Sequence, residues 1–294
     1  MIDDTAAHMV SAYNAEVLYG DTDSVFVRFP DFEGTPEDFL KFCMDIEEKI
    51  QPLYTKPNYL EYEKFYLNFL LLKKKKYVGY KFEGGSAKGK LDGKGIETAR
   101  RDNAEFLLKT MKQFLHHLCI EGNLDDACRY LKQQVTLLTS GDVPVEDLVM
   151  SKKYARTNYK SATLPIHINL NNKITKRSPE LAYNVGDRIQ YVVVSGKEKQ
   201  CMRGEDPKYA IENNIPLDLG YYLKVMLEQP MGRLLEPIIG ASRFRNLMHS
   251  SKRGPMDAFL QSVGDKRKSG EEYKQVQETK KLKQMDMRSF FGQK

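Results

Sequence analysis

Asp21 and Asp23 stand one residue apart in the run Val17-Leu18-Tyr19-Gly20-Asp21-Thr22-Asp23-Ser24-Val25-Phe26-Val27-Arg28-Phe29. Two apolar stretches flank Gly-Asp-Thr-Asp, the pattern of a β-hairpin with a tight turn. Strand alternation predicts that Asp21 and Asp23 face the same way, with Thr22 opposed. Carboxylates so placed offer the hard oxygen donors that Mg²⁺ takes, and Mg²⁺ usually accepts only one or two from protein. Paired ions on such carboxylates serve phosphoryl and nucleotidyl transfer. Asp and Gly are also ordinary turn residues, so the triplet equally suits a solvated loop.

Three further clusters carry chemistry. In Lys73-Lys74-Lys75-Lys76-Tyr77, alternation predicts Lys74 and Lys76 on one face and Lys73, Lys75 and Tyr77 on the other. Cations on a strand face suit a phosphate backbone, where each neutralised charge releases counterions; a solvated face reads the same way by composition. Asp92-Gly93-Lys94-Gly95 runs on through Arg100-Arg101-Asp102. Its glycines permit close backbone approach and its arginines can grip phosphate, or it is a plain strand-to-helix turn. At the far end, Gln284, Met287, Phe290 and Phe291 have the spacing that one helical turn presents on one side. Such anchors suit an apolar pocket on a partner, or the body of the same chain.

The elements that must hold these clusters can be read from periodicity and turn chemistry. Ile2, Ala6, Met9, Val10 and Tyr13 follow a helical period, which predicts a helix before the hairpin. Thr35-Pro36-Glu37-Asp38 predicts a capped helix start, with the helix reaching Ile50 and stopping before Pro52. Strands are expected over 59–72, 76–82 and 91–96, the last two joined by a glycine-rich turn over 84–89. From about Thr98 the pattern turns helical, with an apolar stripe at Ala104, Phe106, Leu107, Met111, Phe114, Leu115, Leu118 and Cys119. Further helices are expected over 124–138, 218–227 and 232–239, and a strand over 189–194.

Composition narrows the class. Of 294 residues 41% are hydrophobic and 29% charged, ordinary for a globular chain. No apolar run approaches the ~18 residues of a membrane span. The opening Met1-Ile2-Asp3-Asp4 lacks the basic start of a secretory leader. Four scattered cysteines form no Cys-x-x-Cys pair, which argues for free thiols rather than a zinc or iron–sulfur module. Of the net charge of +6, residues 251–294 carry +5 (11 Lys/Arg against 6 Asp/Glu), so the body is close to neutral. Nucleic-acid contacts in the body must therefore come from local clusters.

Tyr19-Gly20-Asp21-Thr22-Asp23-Ser24 resembles motif C of the family B DNA polymerases, and is written as the delta-like members write it. Lys74-Lys75-Lys76-Tyr77 resembles their primer–template-touching segment, and Lys94-Gly95 through Arg100-Arg101-Asp102 their palm–thumb border. Lys152-Lys153-Tyr154, Gly186-Asp187-Arg188 and Glu236-Pro237-Ile238-Ile239-Gly240 follow in the order of the delta-type thumb. The last residues resemble the PIP box that docks on a PCNA-type sliding clamp.

The resemblance implies an α+β fold. A partial palm (1–98) of antiparallel sheet and helices is followed by a mainly helical thumb (99–250). A disordered basic tail (251–294) ends in the clamp motif. It implies Asp23 as a direct metal ligand and Asp21 as a weaker or outer one, with two Mg²⁺ in the complete enzyme. Lys74, Lys75, Lys76, Tyr77, Lys94, Arg100, Arg101, Lys152, Lys153 and Arg188 would hold primer–template DNA. Gln284, Met287, Phe290 and Phe291 would bind the clamp.

The implied activity is addition of dNTPs to a primer 3′ end during DNA replication, in the nucleus or a viral replication compartment. The family's motif A, with another metal-binding Asp, and its motif B do not occur in this sequence. The chain is accordingly expected to be a carboxy-terminal fragment, inactive alone. A non-catalytic DNA- and clamp-binding module is the competing reading.

Overall fold

The computed structural model describes residues 2–83, 88–96, 101–156, 159 and 164–249. It falls into two compact units. Among the described residues, the first comprises the chain up to Ile96 together with His116–Asn123, and the second comprises 101–115 and the chain from Leu124 to His249. The expected tail and clamp motif lie outside the described residues, as do residues 84–87 of the expected glycine turn. The combination of helices and antiparallel sheets is the expected α+β class. Among the described residues no helix is long and apolar enough to cross a membrane.

In the first unit, α1 (Ile2–Tyr13) ends at Asn14, whose φ of 50° turns the chain into β1 (Glu16–Asp21). β1 pairs with β2 (Ser24–Arg28) as the expected hairpin. α2 (Pro36–Ile50) starts as its sequence dictates. Thr35 Oγ1 accepts the Asp38 N–H at 3.2 Å, and the Asp38 carboxylate accepts the Thr35 N–H at 3.1 Å. Ile46 and Ile50 of α2 bury themselves against Met9 and Ala15, with Tyr13, Phe29 and Phe42 packed around them.

A second sheet has the order β3 (Lys64–Lys73), β4 (Lys76–Glu83), β5 (Lys90–Lys94), all antiparallel. β3 begins later than the expected Tyr59. The Gln51 side chain bonds both the N–H and the carbonyl of Leu60, so that backbone is taken before it can join a ladder. Asn68, with a φ of 48°, sits in a β-bulge of β3 and donates to the Cys119 carbonyl at 2.9 Å. That bond ties the sheet to a π-helical turn, His116–Ile120.

In the second unit, α3 (Glu105–Leu115) buries Phe106, Leu107, Met111, Phe114 and Leu115, as the apolar stripe predicts. α4 (Leu124–Ser140) buries Leu131, Val135 and Leu138. β6 (Met150–Lys153), β7 (Arg188–Val193) and β8 (Gly204–Glu205) form an antiparallel sheet in that order.

The remaining elements are helical. They are α5 (Ile166–Arg177), α6 (Pro207–Glu212), α7 (Leu219–Tyr221), α8 (Gln229–Ile239) and α9 (Ala241–His249). The two helices expected over 218–239 are one unbroken run, because a π-helical stretch, Tyr222–Glu228, links α7 to α8. Its wider register ends next to Pro230, which supplies no N–H for an α-type bond. Tyr222 is fully buried, and its hydroxyl accepts the Val193 N–H at 2.9 Å.

Candidate active site and nucleic-acid interface

Asp21 closes β1 opposite Ser24, so Thr22 and Asp23 are the turn itself. Thr22 has a φ of 58°, and the Asp23 N–H donates to the Asp21 carbonyl at 2.8 Å. The alternation expected for Asp21, Thr22 and Asp23 therefore does not hold, since two of the three residues are outside any strand. The carboxylates separate in environment as well. Asp23 is exposed, and among the described residues its carboxylate makes no hydrogen bond or ion pair. Both Asp21 oxygens lie 2.9 Å from Lys75 Nζ. The Lys75 ammonium holds the Asp21 carboxyl below its ordinary value, with Tyr19 and Thr22 adding to it. Asp21 in turn holds Lys75 above its ordinary value.

The lysine run is also a turn rather than a strand face. Lys73 pairs with Lys76, leaving Lys74 and Lys75 as the tip of the β3–β4 hairpin, with Lys75 at a φ of 62°. The face assignments expected from alternation fail for that reason. The Lys75 N–H donates to the Tyr19 hydroxyl at 2.9 Å, a second tie between the two hairpins. Beneath them, Phe26 stacks on Phe69 at 5.6 Å and meets Tyr77 at 5.4 Å between ring centroids. Tyr77 is only 8% exposed, so it belongs chiefly to this aromatic floor. Lys73, Lys74 and Lys75 are exposed at the surface; Lys76 is half-buried.

Gly95 completes the arrangement. Its φ is 66°, and a Cβ there would lie 2.5 Å from the Lys75 carbonyl oxygen. β5 thus delivers a glycine under the lysine turn, beside exposed Lys94, which pairs with Tyr77. Tyr66 steadies this strand by donating to Asp92 at 2.8 Å. The motif glycine was legible in the sequence; its contact with Lys75 was not, because it depends on a hairpin tip 20 residues earlier.

The second unit gathers its own cations. β6 and β7 pair Lys153 with Arg188. The Arg188 guanidinium donates to the Arg101 carbonyl at 3.1 Å and to the Ser151 carbonyl at 3.0 Å. Lys152 lies 3.2 Å from the Asp102 carboxylate. Lys152, Lys153, Arg188 and the Arg101 backbone thus meet where β6 and β7 pair. Asp102 stood in the Arg100-Arg101-Asp102 motif without its pairing to Lys152, and Ser151 was not a candidate, since a lone Ser in a basic strand carries no pattern. Arg100 and the clamp residues Gln284, Met287, Phe290 and Phe291 lie outside the described residues.

The sequence model of DNA polymerase family B matches residues 2–238. The chain belongs to that family. Among similar family B polymerases, the DNA polymerase delta catalytic subunit of Oryza sativa subsp. japonica is 36% identical over 241 residues, covering 81% of this chain and 22% of that protein. The delta catalytic subunit of Drosophila melanogaster is 38% identical over 229 residues, 77% of this chain and 21% of that protein. That of Schizosaccharomyces pombe is 34% identical over 255 residues, 86% of this chain and 23% of that protein. This family B chain spans about a fifth of the length of the curated relatives it matches.

Proposed function

We propose that this chain carries part of the palm and the thumb of a DNA-directed DNA polymerase. The observation that carries the reading is the seating of the acidic turn against the lysine turn, through Lys75 on both Asp21 oxygens. It sets a carboxylate donor beside a cationic edge, as transfer onto a nucleic-acid 3′ end requires. In that reaction the primer 3′ oxygen attacks the α-phosphate of a dNTP in line.

The donors fit Mg²⁺. Asp23 is exposed and its carboxylate has no partner among the described residues, whereas both Asp21 oxygens face Lys75, which makes Asp21 the weaker or outer ligand. Two Mg²⁺ held at this turn would supply charge stabilisation for the attacking and leaving oxygens. The chain's own cations hold the duplex. Lys73 and Lys76 oppose each other across the hairpin, which like charges disfavour, and a phosphate backbone along that edge removes the repulsion. Lys74, Lys75, Lys76, Lys94 and, from below, Tyr77 serve the palm side. Arg100, Arg101, Lys152, Lys153 and Arg188 serve the thumb side. Such contacts position DNA without reading sequence. Gln284, Met287, Phe290 and Phe291 tether the enzyme to a PCNA-type sliding clamp, in the nucleus or a viral replication compartment.

Residues 1–294 do not include the second acidic strand that the resemblance pairs with this turn, so by themselves they are expected not to extend a primer. The test is Mg²⁺-dependent primer extension by the native polypeptide that contains these residues, paired with its Asp23→Ala variant. A loss on the order of a hundredfold or more with duplex affinity retained supports the reading. Undiminished incorporation by Asp23→Ala overturns it. No incorporation by either form, with salt-steep duplex binding and clamp capture, supports the binding-module reading instead.

A further inference from the structure

Away from the acidic turn, one cluster in the first unit has ligand chemistry of a different kind. His116 and His117 open the π-helical turn, and Glu121 follows it. Consecutive side chains on an α-helix do not face each other. On this wider turn both imidazoles reach the same carboxylate. His116 Nδ1 lies 3.1 Å from Glu121 Oε1, and His117 Nδ1 lies 2.7 Å from Oε2. One ligand atom from each of the three residues falls within 4.8 Å of the others.

The backbone that presents them is fixed. Asn68 donates to the Cys119 carbonyl, the Glu121 N–H to the His116 carbonyl at 3.2 Å, and the Asn123 N–H to the His117 carbonyl at 2.9 Å. Leu118 and Cys119 are buried beneath. Two ring nitrogens aimed at one carboxylate are satisfied either by an N–H on each, which neutral imidazole can supply, or by a cation among them. His117 Nδ1 makes a hydrogen bond with Glu121. His116 Nδ1 does not: it is sealed from solvent and makes no hydrogen bond despite its 3.1 Å approach. A closed-off nitrogen aimed at a carboxylate, on a π turn of the sort that often marks functional sites, is a buried polar atom whose hydrogen-bonding capacity is unmet.

We propose that His116, His117 and Glu121 form a site for a borderline divalent transition ion, with Zn²⁺ as its type. Imidazole and carboxylate together favour such ions over Mg²⁺. Ligands about 2.0–2.1 Å from a tetrahedral Zn²⁺ stand roughly 3.3 Å apart. The observed 2.7 and 3.1 Å are a little shorter than that. Glu121 is exposed, so water completes the coordination. The ion staples Glu121 to the first residues of its own turn.

Co²⁺ titration of the full 294-residue chain in excess Mg²⁺, followed by visible absorption, tests the site. Mg²⁺ keeps the acidic turn occupied, so failure here is distinct from failure of the polymerase reading. One Co²⁺ per chain is expected, with ligand-field bands and no thiolate charge-transfer band. Affinity should drop about tenfold or more in His117→Ala and in Glu121→Gln, and should weaken as pH falls through the imidazole range. The melting temperature should rise with Co²⁺ in the unaltered chain and not in the variants; circular dichroism reports whether the variants are folded. Three results would overturn the proposal: no uptake by the folded chain, undiminished uptake by both folded variants, or a thiolate band.

Discussion

Lys75 has two tasks at one position: its side chain neutralises Asp21, and its backbone closes the hairpin over Gly95. The sign of the pH dependence follows. Asp21 titrates below its ordinary 3.8, so the pair's contribution is complete above that pH and is lost as pH falls through the depressed value. Lys75 titrates above its ordinary 10.5, so the contribution is complete below that pH and is lost as pH rises through the elevated value. In Lys75→Ala the Asp21 carboxyl should return toward 3.8, which carboxyl-carbon NMR titration would read. At Gly95, an alanine meets both a left-handed φ of 66° and the Lys75 carbonyl oxygen. The dihedral alone costs about 1–2 kcal/mol. Urea unfolding should find Gly95→Ala destabilised by more than that dihedral cost alone, because the Lys75 carbonyl oxygen must also give way.

Elements with local start and stop chemistry were legible. The capping box of α2, the stripe of α3 and the two hairpins follow from residue types alone. Thr35→Ala should therefore lower stability by about 1 kcal/mol, measured by thermal melting. Turn residues were misread wherever alternation was carried through a hairpin tip, at Asp23 and at Lys74–Lys75. Alternation holds only between paired backbones, and the tips are unpaired. α5 does not show in the periodicity because its buried polar residues carry tertiary bonds, and α6 because it is only 6 residues long. Asn169 donates to the Cys201 carbonyl and Asn171 to the Tyr183 carbonyl, so the sequence looks polar where the helix is buried. The α7–α8 run depends on a bond of the same kind. Tyr222→Phe leaves the buried Val193 N–H without its acceptor and should cost about 1–3 kcal/mol, read from urea unfolding.

At the scale of the molecule, charge is segregated: nearly all of the net +6 lies in residues 251–294. Removing them should flatten the dependence of duplex affinity on salt, measured by fluorescence anisotropy over a salt series. Lys153→Ala, at an exposed strand end, should reduce the salt slope by about one and leave the melting temperature unchanged. The chain's path has a consequence of its own. It leaves the first unit after Ile96, runs through α3, and returns for His116–Asn123, where Asn68 of β3 donates to the Cys119 carbonyl. During synthesis, therefore, the nascent first unit cannot close when its last strand emerges. The face of the sheet that receives the His116–Ile120 turn stays open until Asn123 has followed. That interval is when a chaperone would find it.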